Sequence, residues 1–363
     1  MGRTWGQGRL ASGAGVGVCN GMQIITRPRL IALLAAVLGS GVFVWLRLPI
    51  PLLLGPMLGC LVFALAGARL QGMGQFGTLM RTVLGVAIGA SITPEFIGDL
   101  PEYAPTLLII PIFIVVIGTV GYLFFRRIMK FDHPTSFYSA MPGGLQDMLV
   151  FGQEAGGDVR AMSLIHATRV LVIVSVAPFF LTLVYDLDLN AAPGARAAGM
   201  DPVQLILLCA AAVIGWKAGE RVGLFGASIM GPMILTAALS LAGIITVRPP
   251  AEMIWVAQFF IGISVGANYS GITGREMRID VGAGLAYSVL LAILSLAIIE
   301  LVVLVSPADN LDVILSFLPG GQAEMVIIAL VAGADIAFVV AHHLLRVILV
   351  IMLAPVFARW LDR

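Results

Sequence analysis

Ten times along these 363 residues the sequence turns apolar for a length that can cross a bilayer. In the first half of the chain the runs are 30–46, 50–68, 82–98, 103–125 and 161–184. In the second half they are 203–216, 224–245, 252–272, 281–305 and 336–358. A helix needs about 20 apolar residues to span the hydrocarbon layer. Within lipid, backbone polar groups must be satisfied internally, so runs of this kind fold as helices. Charged residues make up only 11% of the chain and hydrophobic ones 60%, where a soluble domain is about a quarter charged. The fold class is therefore an all-α polytopic membrane protein.

The chain also repeats itself. Met141-Pro142-Gly143-Gly144 lines up with Leu318-Pro319-Gly320-Gly321 at an offset of 177, and 13 of the 40 positions from Met141 are identical without a gap. Asp147 falls on Glu324, Met148 on Met325, Asp158 on Asp335, His166 on His343, Arg169 on Arg346 and Pro178 on Pro355. Upstream, Gly55-Pro56-Met57 matches Gly231-Pro232-Met233, while Gly85 and Gly89 match Gly262 and Gly266. This reads as a tandem duplication. The expected parts are a Gly-rich, disordered cytoplasmic tail (1–28), a first membrane repeat (29–188), an Ala/Pro/Gly linker (189–202) and a second repeat (203–363).

Basic residues orient the runs, because cytoplasmic loops of membrane proteins are enriched in Lys and Arg. With about five spans per half, one set of loops holds 13 basic residues, among them Arg69, Arg126, Arg127, Lys130, Lys217, Arg221, Arg275 and Arg278. The other set holds three, Arg47, Arg196 and Arg248. The expectation is a bacterial inner-membrane protein with both termini cytoplasmic. An odd number of spans makes the second half enter upside down relative to the first. Inverted repeats of this kind, with broken elements near the midplane, are typical of secondary transporters.

Between the fourth and fifth run of each half lies a Pro-Gly-Gly segment, expected to be re-entrant or broken. Pro142 and Pro319 remove a backbone donor, and Gly143, Gly144, Gly320 and Gly321 permit a sharp turn. Irregular backbone at membrane depth is tolerated where it lines a cavity or is buried in protein. Simple hairpin packing is the alternative.

Ionisable groups at this depth are costly, and here they come in repeat-related pairs. His166 and Arg169, like His343 and Arg346, are three residues apart and share a helix face. Arg169 and Arg346 either lock onto Asp147 and Glu324 as structural pairs or bind an anionic solute together with exposed amides. Asp147, Glu324, His166 and His343 are candidates for ion or proton coupling. Asp158 and Asp335 either join them or cap the helices that follow. The Gly-x-x-x-Gly pairs 85–89 and 262–266 suit close helix packing; Ser91, Thr93, Asn268 and Ser270, which follow them, are polar groups that could face a cavity.

Other classes are disfavoured. Cys19, Cys60 and Cys209 lie far apart and suit small buried hydrophobes better than a disulfide framework or metal site. His133 lies in a basic loop, and no His/Asp/Glu cluster has a metal-ligand spacing. Gly13-Ala14-Gly15-Val16-Gly17 has no preceding strand and is not read as a dinucleotide loop. The first 26 residues lack a signal-peptide core, and Met22 is an alternative start. A net charge of +1 gives no overall attraction to nucleic acid. There is no Walker loop for ATP coupling.

The duplicated halves, each with a Gly-Pro-Met segment and a Pro-Gly-Gly…Asp/Glu-Met…Gly-x-Asp…His-x-x-Arg block, resemble the AbrB-type inner-membrane family of Gram-negative bacteria. The resemblance covers nearly all of the chain after residue 29. It implies a membrane location. Members carry two labels, ammonia monooxygenase and AbrB family transcriptional regulator. The sequence supplies no ligand set for copper or iron and no helix-turn-helix, so neither an enzyme nor a direct transcription factor is expected. The reading is a secondary transporter of a small solute, without catalytic residue, metal or cofactor. Its partners are the bilayer and the solute, not nucleic acid, and assembly as a homo-oligomer is left open. The alternative is a membrane sensor that affects gene expression indirectly, without transport.

Overall fold

The computed structural model describes residues 26–190, 192–224, 226–306 and 308–361. Most of the Gly-rich tail, with Cys19, lies outside the described residues, as do Arg363 and part of the linker. Helices run in the order α1 (Arg27–Trp45), α2 (Pro51–Leu65), α3 (Gln75–Gly89), α4 (Pro94–Leu107), α5 (Ile110–Leu123), α6 (His133–Ala140), α7 (Leu145–Glu154) and α8 (Val159–Tyr185). A second series follows: α9 (Pro202–Arg221), α10 (Ala227–Leu241), α11 (Ala251–Ala267), the single turn α12 (Gly274–Glu276), α13 (Gly282–Val305), α14 (Asn310–Phe317), α15 (Gln322–Ala332) and α16 (Ile336–Leu361). No strand occurs among the described residues. The two series follow the same plan, except that α4 and α5 have α12 and α13 as counterparts.

Six segments are long and apolar enough to cross a membrane: Arg27–Trp45, Leu100–Ile128, Val159–Tyr185, Pro202–Arg221, Gly274–Leu304 and Ile336–Ala354. Their outward faces carry large apolar side chains such as Leu183 and Leu304, both more than 80% exposed. That is tolerable against lipid and costly against water. The other four apolar runs fold as the shorter helices α2, α3, α10 and α11, of 15 to 17 residues. At 1.5 Å per residue these reach only about 22–26 Å, short of the ~30 Å hydrocarbon core.

These four short helices knit the two series together. α2 packs against α11, and α3 against α10. Glycines set the approach. A Cβ on Gly85 or Gly89 would overlap the carbonyl oxygens of Ile229 or Met233 in α10, and one on Gly262 or Gly266 those of Leu53 or Met57 in α2. Each Gly-x-x-x-Gly thus seats on the Gly-Pro-Met helix of the other series, close packing of the kind small residues allow. Three of the nearby polar residues have structural jobs. The Ser91 hydroxyl donates to Ala87 O, Thr93 caps α4 by accepting from the Phe96 amide, and Ser270 accepts from the Leu70 amide.

Candidate functional site

Both Pro-Gly-Gly segments are breaks between two short helices. α6 ends at Ala140 and α14 at Phe317, and the residues before the prolines, Met141 and Leu318, are extended with ψ of 133° and 128°. A proline disfavours the helical region for the residue preceding it, which accounts for where each helix stops. Pro142 and Pro319 are buried. None of Gly143, Gly144, Gly320 and Gly321 has a positive φ. They make room instead. A Cβ on Gly143 would press on Met148 and on Val350 of α16, one on Gly320 on Met325, and one on Gly321 on the Glu324 carboxylate. The left-handed turns come later, at Gly156 and Gly333, with φ of 83° and 73°.

A helix end leaves its last carbonyls without intrahelical donors. At these breaks buried side chains supply the donors. His166 Nε2 donates to Tyr138 O at 3.0 Å and Arg169 Nη1 to Met141 O at 3.2 Å. In the second series His343 Nε2 donates to Leu315 O at 2.9 Å, and Arg346 donates to Leu318 O and Gly320 O, both at 3.4 Å. The acceptors Tyr138 and Met141 are themselves 177 positions from Leu315 and Leu318. All four His and Arg side chains are buried, none more than 4% exposed. A cation at a helix C-terminus also complements the negative end of the dipole.

The arginines therefore do not pair with Asp147 and Glu324. Among the described residues the ion pairs are Arg160–Glu276 and Lys217–Glu220. Asp147 and Glu324 sit in the first turns of α7 and α15. One Asp147 oxygen is buried without a partner, and Glu324 lies within electrostatic reach of Arg81 on α3. The Nε atoms of both Arg169 and Arg346 are buried without an acceptor, and the two guanidiniums are close enough for their charges to interact.

Asp158 and Asp335 act as helix caps. Asp158 accepts from the amides of Arg160 and Ala161, and Asp335 from those of Ala337 and Phe338. Their own amides are held by Thr135 Oγ1 and Asp312 Oδ1, at positions 177 apart. Both aspartates are exposed, away from the buried arginines.

Three contributors escape a reading of the repeat. Tyr287 on α13 donates to Ala140 O at 2.7 Å, so the second series helps satisfy the first break, and Gly121 leaves space for its ring. Tyr269 donates to Thr168 Oγ1 at 3.0 Å, next to Arg169. His342 contacts Thr106 Oγ1 at 2.8 Å through Nε2. The available signal was a hydroxyl in an apolar run, since a buried Tyr usually finds a partner. Cys60 is buried and Cys209 exposed, both as free thiols.

Long apolar helices in two like series, with paired breaks held by buried His and Arg, define a multi-pass helical membrane protein. The model of the AbrB family, described as transition state regulatory protein AbrB, matches residues 52–362, and the chain belongs to that family. It is 29% identical over 305 residues to YhjN, an uncharacterised protein of Bacillus subtilis (strain 168), covering 78% of each chain. It is 26% identical over 337 residues to an Escherichia coli (strain K12) protein named as a proposed regulator, AbrB, covering 92% of this chain and 96% of that one. No solved structure matches the chain.

Proposed function

We propose that the protein is a secondary transporter of a small anionic solute, which binds between the two Pro-Gly-Gly breaks. One observation carries this reading. Arg169 and Arg346 are buried, within electrostatic reach of one another, and held by neutral carbonyls without a carboxylate partner among the described residues. Two such charges form a positive centre that costs free energy unless an anion joins it. The first turns of α7 and α15 add backbone amides that no N-cap side chain occupies, a setting that favours anions. Asp147 and Glu324 stand in those same first turns, so their protonation would remove negative charge facing the solute and couple its movement to protons.

The arrangement of helices supports alternating access. Each series holds three long segments and two pairs of short helices, α2/α3 and α6/α7 in the first, α10/α11 and α14/α15 in the second. A pair adds either two crossings or none, so the count per series stays odd and the halves are inverted. Each break then enters from its own face, with Gly321 beside Val170 of α8 and Gly143 beside Val350 of α16. The reading includes no catalysis, metal, cofactor or nucleic acid. It places both termini in the cytoplasm of a bacterial inner membrane.

The name of the Escherichia coli relative favours a second reading, a membrane sensor on the same scaffold that acts on gene expression through other molecules. Counterflow separates the two. Purified protein in vesicles loaded with acetate, lactate, succinate or phosphate is given the labelled anion outside. A transporter exchanges at least one of them. Binding without exchange in this panel would support the sensor.

A further inference from the structure

Beside the arginine centre, the described residues include a cleft of ≈ 480 Å³ between α5, α6 and α16. Its walls are apolar, running from Pro111 past Gly118 to Leu123 on α5 and from Leu349 to Phe357 on α16, with Met141 at its inner side. Val115, Leu353 and Phe357 are between 44% and 60% exposed, so the cleft opens sideways to the lipid-facing surface. From Pro111 to Leu123 a helix rises about 18 Å, close to the ~15 Å depth of one leaflet's hydrocarbon.

The end of the cleft beyond Leu123 is basic. Arg126 and Arg127 lie within the π-type turn Phe124–Ile128, and Lys130 lies just past it, all three exposed. The nearest acid in sequence, Asp132, is engaged in capping α6 through the amide and hydroxyl of Thr135. Tyr122, which lines the cleft, donates to His133 Nδ1 at 2.9 Å, and His133 Nε2 donates to Ala358 O at 3.3 Å. These bonds tie α5, α6 and α16 together at the mouth.

We infer that this cleft holds one acyl chain of an anionic phospholipid, whose phosphate lies against Arg126, Arg127 and Lys130. Leaflet-length apolar walls, a lateral opening and a basic cluster at one end match such a lipid in shape and charge, because basic residues next to a membrane surface attract anionic headgroups. The inference needs only that the chain lies in a bilayer, so it stands or falls apart from the transport reading.

The test uses the full chain in dodecyl maltoside with dioleoyl phosphatidylglycerol or dioleoyl phosphatidylcholine, read by native mass spectrometry and thermal shift. The wild type should retain phosphatidylglycerol at least threefold better and be stabilised more by it. Replacing Arg126, Arg127 and Lys130 together by Gln should abolish that preference while leaving phosphatidylcholine binding intact. Thr119→Trp, filling the cleft from an exposed position, should lose retention of both lipids; if it fails to fold, Val115→Phe serves the same purpose. Equal retention of the two lipids by wild type would overturn the inference, as would undiminished retention by the folded cleft-filling variant.

Discussion

Arg346 donates a hydrogen bond from Nη2 to Nδ1 of His343 at 2.8 Å, while Nε2 of the same ring donates to Leu315 O. The two contacts together require the neutral tautomer with its proton on Nε2. The first series differs. His166 donates to Tyr138 O in the same way, but its Nδ1 is buried without a partner.

That difference makes the two histidines unequal. Replacing His343 by Phe removes a donor to Leu315 O and an acceptor for Arg346, whereas His166→Phe removes a single bond. Each buried polar group left without a partner costs about 1–3 kcal/mol. The midpoint of thermal unfolding in detergent should therefore fall further for His343→Phe. Equal losses would mean that the Arg346–His343 contact contributes nothing.

Arg169→Gln and Arg346→Gln should each reduce anion exchange by more than tenfold while the protein still inserts. Arg→Lys should restore little, since an ammonium lacks the planar fork that reaches two carbonyls at once, as Arg346 reaches Leu318 O and Gly320 O. Exchange measured on vesicles with matched protein content checks this, and wild-type rates in both Gln variants would remove the arginines from the site.

Gly89→Ala and Gly266→Ala should destabilise the fold strongly, by roughly 1–3 kcal/mol as overpacking usually does. The added carbon meets backbone carbonyl oxygens of Met233 and Met57, which cannot swing aside. Gly41→Ala, where nothing lies within 4 Å, is the control and should match or exceed wild type because Ala favours a helix. Unfolding midpoints compare the three.

Inversion of the halves has its own test. On a background without the three native cysteines, Glu154→Cys at the end of α7 and Asn310→Cys at the start of α14 are both exposed. An impermeant maleimide should label Asn310→Cys in intact cells and Glu154→Cys only after the membrane is opened. Labelling of both from the same side would defeat the inversion and, with it, alternating access between opposed breaks.

Run length, composition and the 177-residue echo are properties of a line of residues, and they suffice for the bilayer class and for the equivalence of Asp158 with Asp335 or Arg169 with Arg346. The breaks were legible as well, because proline acts on its immediate neighbour in any context. The short lengths of α2, α3, α10 and α11 were less so, since their ends are set by the turns and the cross-packing of Gly-x-x-x-Gly on Gly-Pro-Met.

What only the tertiary structure decided is which partner each buried group takes. Arg169 could have met Asp147, three residues beyond the break, or the carbonyls just before it, and sequence spacing allows both. The choice falls to the carbonyls because α6 and α14 end against α8 and α16, bringing carbonyl oxygens of the breaks to 3.2–3.4 Å from the guanidiniums. The Tyr287 hydroxyl reaches Ala140 O across 147 residues of chain, a contact no local pattern encodes, because hydrogen bonds depend on ångström-scale approach and sequence alone specifies only what is available to make them.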